Sequence, residues 1–279
     1  MNIKTKLLLT ISILIALSYS IIGYYTLTSE YKNEYKNINK QDFAIVNGSA
    51  KFINEYLLEK EHLLEAASKN ISKLSIDEKE KIRNILNFVK DAGYFGSVYS
   101  GFEDGLMIRW NGRDTLALKD SYDPRTRSWY TLAKESKKSG ITKPYIDNAT
   151  QKLTISIYVP IIKNDLVIGV ISSDIFLDTI VDTVLNINLE EKGYAYLLDK
   201  NNEILVHKDK TLIGKEDTVF EGQTERFFER EHNGHESLFF LADIPVANWM
   251  LCIEIDKEKS FAKIYEDLKI YIMISLSFL

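Results

Sequence analysis

A run of 21 residues without a charge, residues 7–27, is the feature that most constrains this chain. A helix of about 20 apolar residues spans a hydrocarbon core of ~30 Å. Lys4 and Lys6 precede the run, and the first acidic residue after it is Glu30. Because lysines stay on the cytoplasmic side, the pattern predicts that residues 1–6 are cytoplasmic and that residues 7–27 form a transmembrane helix.

A cleaved signal peptide is the alternative interpretation of the same run. Its apolar core would be shorter, and a small-x-small cleavage site would follow it. Here the run ends in Tyr24 and Tyr25, which are typical of a membrane interface, and no such site follows. The sequence therefore favours an uncleaved membrane anchor.

A second apolar run, residues 270–279, follows Lys269. Ten residues are about half of a membrane span, so the run is either a buried helix end or the start of a second transmembrane helix inside which the chain is cut. Lys269 suits an outer-face boundary, which favours the second interpretation. Residues 28–268 would then be extracytoplasmic, and any cytoplasmic output domain would lie beyond residue 279.

Composition and motifs exclude several classes of function. The net charge is −5 and no basic cluster occurs, so nucleic acid is not a predicted partner. Cys252 is the only cysteine, so no intrachain disulfide can form. No phosphate loop, HExxH motif or nucleophile elbow is present, and the sequence predicts neither an enzyme nor a cofactor. His232 and His235 flank a polar turn with no further histidine or cysteine beside them, so we predict no metal site.

Residues 28–75 are predicted to form one long helix without a proline. Apolar side chains recur at heptad spacing, and Lys60 interrupts the second row. Two interpretations remain open at this point. The stripe packs along its own domain, or it forms the seam of a homodimer that continues the transmembrane helix.

The remainder reads as an α+β fold of two similar units, residues 76–185 and residues 186–256, followed by an exit helix at 257–269. A capping box at Ser75–Glu78 predicts the start of a helix that ends near Gly93. Asp123 and Pro124 predict a helix that carries residues 127–138. Strands are predicted at 94–102, 106–110, 115–118, 153–160, 166–173, 193–198, 203–207, 236–242 and 249–255. Asp174 is predicted to open a helix that runs to about residue 185.

Polar and aromatic residues at 122–130, together with Asp174, suit a pocket for a free amino acid. A guanidinium such as that of Arg127 binds a carboxylate through two hydrogen bonds. Asp174 and Asp147 would face the ammonium. The aromatic walls and further hydrogen bonds would come from Tyr122, Trp129 and Tyr130.

A purely structural interpretation competes with this one. An aspartate between a strand and a helix is usually an N-cap, and Arg125 and Arg127 could be surface charges. In a regular helix Trp129 would also point about 160° away from Arg127. Both residues can therefore reach one pocket only if the helix start is irregular.

The order of an apolar anchor, a long helix, a larger and a smaller α+β unit and a second apolar run resembles the double Cache sensor of bacterial chemotaxis receptors. The resemblance is to the amino-acid-binding subgroup of that family. That subgroup has a tyrosine, an arginine five residues later, Trp-Tyr two further on, and an aspartate about 44 residues beyond; Tyr122, Arg127, Trp129-Tyr130 and Asp174 match each position. The resemblance implies two PAS-like antiparallel-sheet modules, a membrane-distal one (residues 76–185) that binds the ligand and a membrane-proximal one (residues 186–256). It also implies that arginine and tryptophan hold the carboxylate and that tyrosine and aspartate hold the ammonium, with Asp147 at a position that often adds an ammonium contact.

The expected function is a membrane-anchored, homodimeric sensor that binds an L-amino acid, most simply the sensor part of a chemotaxis receptor. The alternatives are the sensor region of a histidine kinase or diguanylate cyclase, and a passive membrane-anchored binding protein. The head-group residues are general, so selectivity is assigned to other side chains: Tyr94, Tyr99, Met107, Arg109 and Tyr145.

Overall fold

A single helix, α1 (Ile3–Ile71), runs through the first quarter of the chain. The computed structural model describes residues 2–117, 119–147 and 151–278. Among these residues α1 is the one helix whose length and composition suit a membrane crossing, and 11% of its most apolar window is buried. The helix continues without interruption past the predicted boundary at residue 27, because no proline or glycine pair breaks its hydrogen-bond ladder.

The heptad stripe of α1 is covered by the chain's own two sheets. Val46, Ile53, Leu57 and Leu64 are fully buried in the main core cluster, which contains side chains from both modules. Lys60, which interrupts the stripe, is also buried, and its Nζ lies 4.9 Å from the centre of the Tyr56 ring. The stripe therefore packs along its own domain, and its interpretation as a dimer seam is wrong.

The capping box before α2 (Lys79–Ala92) forms only in part. Glu78 accepts a hydrogen bond from the Ser75 amide at 2.9 Å, whereas the Ser75 hydroxyl accepts weakly from the Asp77 amide at 3.4 Å. The Ser75 side chain thus caps a turn rather than the helix, and α2 begins at Lys79.

The distal module contains a sheet with the strand order β3-β2-β1-β7-β6-β4, and β5 pairs with β6. Besides α2, two further helices belong to the same module, α3 (Ser128–Ser136) and α4 (Asp178–Leu185). The strands are β1 (Ser97–Phe102), β2 (Leu106–Arg109), β3 (Thr115–Leu116), β4 (Gly140–Ile141), β5 (Tyr145–Ile146), β6 (Leu153–Lys163) and β7 (Leu166–Phe176). The short strands β4 and β5 were not predicted, and position 118 of the predicted third strand lies outside the described residues.

Asp174 lies inside β7 and does not open a helix. It is paired with Ser97 on β1 and with Ser156 on β6, and α4 begins four residues later at Asp178. The residue before that helix is Leu177, which makes no side-chain cap. The prediction of a helix start at Asp174, and with it the N-cap interpretation, is wrong because strand pairing on both sides extends β7 beyond its apolar run.

The proximal module has the strand order β10-β11-β12-β8-β9. Its strands are β8 (Gly193–Asp199), β9 (Ile204–Val206), β10 (Phe227–His232), β11 (His235–Ile244) and β12 (Trp249–Asp256). Strand β10 was not predicted, because charged side chains at 229–231 interrupt its apolar pattern. Such charges are typical of an edge strand.

The last helix, α5 (Lys257–Ser277), joins the predicted exit helix and the second apolar run without a break. It packs against the first part of α1. The hydroxyls of Ser20 and Ser275 are 2.7 Å apart, and a Cβ on Gly23 would lie 3.0 Å from the Tyr271 ring. Gly23 therefore allows the close approach of the two helices.

Candidate ligand-binding site

The distal module contains a cavity of about 940 Å³, at the upper end of the range for small-molecule sites. Strands β1, β2 and β7, the start of α3 and the segment 142–147 form its walls. Of the predicted site residues, five line it: Tyr122, Arg127, Trp129, Asp147 and Asp174.

Arg127 lies at a break between two helical segments. Pro124–Thr126 form a short 3₁₀ helix that Asp123 caps by accepting from the Arg125 amide, and α3 starts at Ser128. Arg127 itself is extended, with φ −85° and ψ 145°. Because Arg127 is outside the helix, the 160° separation expected in a regular helix does not apply, and both Arg127 and Trp129 reach the cavity.

The two arginines of this segment differ in their partners. Arg125 forms an ion pair with Asp123 at 2.8 Å. The Arg127 guanidinium is exposed, lies 5.7 Å from the centre of the Tyr122 ring, and has no ion pair among the described residues. Arg127 is therefore a cation at the cavity with its hydrogen-bonding fork available for an anion.

Asp174 is held in the cavity by four hydroxyl donors. Its Oδ2 accepts from Ser97 at 2.6 Å, and its Oδ1 accepts from Tyr99 at 2.7 Å. Ser156 and Tyr145 donate to the same Oδ1 at 2.9 Å and 3.1 Å. Within the described part of the chain no lysine, arginine or histidine nitrogen lies within 4.0 Å of this carboxylate. Among the described residues Asp174 is thus an oriented carboxylate without an ion-pair partner.

The tyrosines at Asp174 are neutral donors. Burial raises the pKa of Tyr99 well above its usual value, and the adjacent Asp174 charge raises it further. Burial, followed by the charge of Asp174, also raises the pKa of Tyr145. Both phenols therefore keep their protons at neutral pH and donate to the carboxylate.

Trp129 forms an apolar part of the cavity wall. It is buried, and its ring meets that of Tyr99 edge-on at 5.1 Å. A Cβ on Gly101 would lie 2.9 Å from the Trp129 ring and 2.8 Å from Pro124. Glycine at this position of β1 lets the indole pack directly on the strand.

Tyr130 does not line the cavity. Its side chain is buried beneath Trp129, and its hydroxyl donates to Glu103 Oε1 at 2.7 Å. Lys134, one turn further along α3, also pairs with Glu103 at 2.7 Å. The structure thus places Tyr130 in a contact that anchors α3 to the β1–β2 turn, away from the other predicted site residues.

Several further residues contribute to the site. Ser97 and Ser156 were missed, because their relation to Asp174 depends on strand register; the only signal was their alternation with apolar neighbours. Tyr99 and Tyr145, which were expected to determine ligand selectivity, donate hydrogen bonds to the Asp174 carboxylate instead. Met107 and Arg109 line the cavity, whereas Tyr94 is 92% exposed and does not. Among the described residues there is no cluster of three or more potential metal ligands.

The family model described as a Cache domain matches residues 28–264. The chain belongs to the Cache domain family. Its α+β fold, with a long N-terminal helix and two antiparallel sheets, confirms the predicted fold class. The match includes both sheets and most of α1.

Curated relatives of this Cache domain are methyl-accepting chemotaxis proteins. McpG of Pseudomonas putida is 33% identical over 176 residues, which cover 60% of this chain and 27% of McpG. PscA of Pseudomonas syringae pv. tomato is 24% identical over 282 residues, which cover 95% of this chain and 43% of PscA. The chain spans less than half the length of these curated relatives.

Solved structures similar to this Cache domain are ligand-binding domains of chemoreceptors. That of Pseudomonas fluorescens CtaA with L-isoleucine superposes with a TM-score of 0.66 at 28% identity, covering 82% of this chain and 98% of that one. The CtaA domain with L-serine gives a TM-score of 0.67 at 27% identity, with coverages of 80% and 99%. The Pseudomonas aeruginosa PctB domain with L-Arg gives 0.68 at 24% identity, covering 81% and 98%, and supports the fold alone.

Proposed function

We propose that this chain is the sensor region of a membrane chemoreceptor and that it binds a free L-amino acid in the distal cavity. One observation carries the proposal. The Arg127 guanidinium and the Asp174 carboxylate line the same cavity, neither has an ion-pair partner among the described residues, and they are complementary to the two charges of an amino acid. The names of the chemotaxis relatives, and the L-isoleucine and L-serine bound to CtaA, support the same assignment.

The proposed roles follow from the donors and acceptors present. Arg127 binds the ligand carboxylate through its fork, and the Trp129 indole N–H adds a donor. Asp174 binds the ammonium, with its orientation set by the four hydroxyls. Tyr122 covers the carboxylate side, and Asp147 provides a second acidic group near the ammonium. Tyr130 contributes indirectly, because it holds α3 in place through Glu103.

In this proposal residues 7–27 lie in the membrane and residues 28–268 lie outside the cytoplasm. The helices α1 and α5 connect the two regions. Two copies would form the working receptor. Ligand binding shifts the receptor between two arrangements only if the ligand binds them unequally. The ligand would do so by drawing the Arg127 and Asp174 walls of the cavity together.

The test is a binding screen of the twenty L-amino acids on the whole chain in lipid nanodiscs, by calorimetry and thermal melting. A ligand at 100 times its dissociation constant stabilises the native state by about 2.7 kcal/mol. Each ligand found is then compared with two analogues, its 2-hydroxy acid and its decarboxylated amine. We expect both analogues to bind at least about tenfold more weakly, since each loses one charge-assisted contact. No heat and no shift with any amino acid would refute the proposal.

A further inference from the structure

His232, at the end of β10, lies between two buried carboxylates of the proximal module. Its Nδ1 is 3.1 Å from Glu254 Oε2, and its Nε2 is 3.6 Å from Asp217 Oδ1. Glu254 and Asp217 are 5% and 7% exposed. Within the described ranges neither carboxylate has a lysine or arginine nitrogen within 4.0 Å. The imidazole is therefore the group that can supply a positive charge to both.

Further donors surround these carboxylates, among them the Val219 amide, which donates to Asp217 Oδ1 at 3.1 Å. Tyr194 and Ser237 donate to Glu254 at 2.5 Å and 3.0 Å, and Tyr196 donates to Asp217 at 3.0 Å. The hydrogen bond to Glu254 is the main cause that raises the pKa of His232 above its usual value, against the opposing effect of burial. Burial alone would raise the pKa of Glu254, but the bonds from His232 and Tyr194 hold it below its usual value.

The other titratable groups of the cluster keep their charge state near neutral pH. Burial raises the pKa of Tyr194, Tyr196 and Cys252, so these remain neutral. Burial lowers the pKa of His207, whose Nδ1 accepts from the Asp209 amide. The remaining charged groups near the cluster are Lys208, which lies over the Tyr194 ring, and the exposed β10 residues Glu229, Arg230 and Glu231.

Strand β10 connects this cluster to both long helices. Glu229 Oε1 accepts from the Tyr35 hydroxyl of α1 at 2.6 Å, and Glu229 Oε2 pairs with Lys257 of α5 at 2.8 Å. Phe227, at the other end of the strand, packs on Tyr35 and Phe43 of α1. On the sheet itself β10 pairs with β11 alone in the described part of the chain. A shift of this edge strand would therefore move side chains that hold α1 and α5.

We propose that His232 makes the proximal module a second sensor, whose ligand is the proton. Protonated His232 clamps β10 to Glu254 and Asp217. After deprotonation the neutral imidazole keeps a single N–H, which can serve only one of the two buried carboxylates. The carboxylates then share no cation and repel each other, so β10 loosens together with its contacts to α1 and α5. Because the pKa is raised in the folded state, the clamp is complete below the ordinary histidine value of about 6.5 and is lost as the pH rises through the higher folded value.

The test is hydrogen exchange on the whole chain in nanodiscs between pH 6 and pH 9, corrected for the intrinsic exchange rate. The peptides of interest cover β10 and the part of α1 around Tyr35. As the pH rises through the folded-state pKa of His232, we expect the hydrogen-exchange protection of both peptides to fall in the wild type. The fall should be about tenfold for each pH unit by which folding raises that pKa. His232→Gln should abolish this dependence. His235→Gln is the matched control, because His235 is exposed at the other end of the same turn, and it should behave as wild type.

A second measurement keeps the proposal testable if His232→Gln does not fold. In the wild-type protein, the NMR titration midpoint of His232 should lie above the ordinary histidine value of about 6.5. A midpoint at or below this value would overturn the proposal, as would a pH-independent wild type or a His232→Gln variant with the wild-type pH profile. None of these outcomes depends on amino-acid binding, so the two proposals can fail separately.

Discussion

Each of the two modules has a carboxylate at a comparable position of its sheet, but the two carboxylates differ in what faces them. Asp174 is paired in register with Ser97 and Ser156, and Glu254 with Tyr194 and Phe239. Both accept hydroxyl donors from neighbouring strands. In the distal module Asp174 faces an open cavity, whereas in the proximal module Glu254 contacts the side chain of His232.

The difference comes from what covers each sheet. In the distal module an irregular segment with Pro124 and an extended Arg127 leads into α3, and the cavity lies between this segment and the sheet. In the proximal module the edge hairpin β10–β11 brings His232 onto the sheet, and aromatic rings fill the remaining space. A buried acid therefore marks a ligand site only where the fold leaves room for an external partner.

The largest expected effect is that of Asp174→Asn on amino-acid affinity. The amide keeps the size of the side chain but loses the charge that faces the ammonium in the proposed complex. A hydrogen bond to a charged group contributes about 1.5–3 kcal/mol, so the dissociation constant should rise about 10- to 150-fold by calorimetry. Asp178→Asn is the matched control, because Asp178 lies in the first turn of α4 outside the cavity. Wild-type affinity in a folded Asp174→Asn protein would remove Asp174 from the site.

Replacing Arg127 with lysine should weaken binding by about tenfold or more, since the charge stays but the two-pronged geometry is lost. Arg125→Lys is the control, because Arg125 is already paired with Asp123 and does not line the cavity. Titrations of both variants with the same amino acid decide the point. Equal losses in the two variants would mean that the arginines act through the general positive potential rather than through a specific contact.

Glu254→Gln should show the opposite pattern to Asp174→Asn. This substitution breaks the pair between Glu254 and His232, so we expect the free energy of unfolding at pH 6 to fall by about 1.5–3 kcal/mol. The affinity for the amino acid should remain within about threefold, because the side chain lies outside the distal cavity. Urea unfolding and calorimetry on one preparation measure both quantities. A large loss of affinity with unchanged stability would contradict the contrast between the two carboxylates.

The smallest expected effect on binding is that of Tyr130→Phe. The hydroxyl contacts Glu103 and not the cavity, so affinity should change by less than about threefold. Loss of this hydrogen bond should lower the free energy of unfolding by about 0.5–1.5 kcal/mol. Thermal melting with and without ligand separates the two effects. A tenfold loss of affinity would indicate that Tyr130 moves into the site when the ligand binds.

By itself the sequence determined the uncharged N-terminal run, the long helix, the α+β class with two units and the residue types of the candidate site. These follow from local properties, namely uncharged length, apolar periodicity and the chemistry of arginine and aspartate. The resemblance to the double Cache sensor rested on five residue types at given spacings and on this layout, and the family match confirms it.

Only the tertiary structure decided which of these residues meet and which face of each element is covered. Asp174 belongs to β7 and not to α4, because pairing with Ser97 and Ser156 extends the strand beyond the point where its apolar pattern ends. The heptad stripe of α1 packs on the chain's own sheets, which no pattern within the helix could distinguish from a dimer seam. Strand β10 and the position of His232 beside Glu254 depend on pairing between segments distant in the sequence. Periodicity records which residues avoid water, whereas register and close packing determine the partner that each of them contacts.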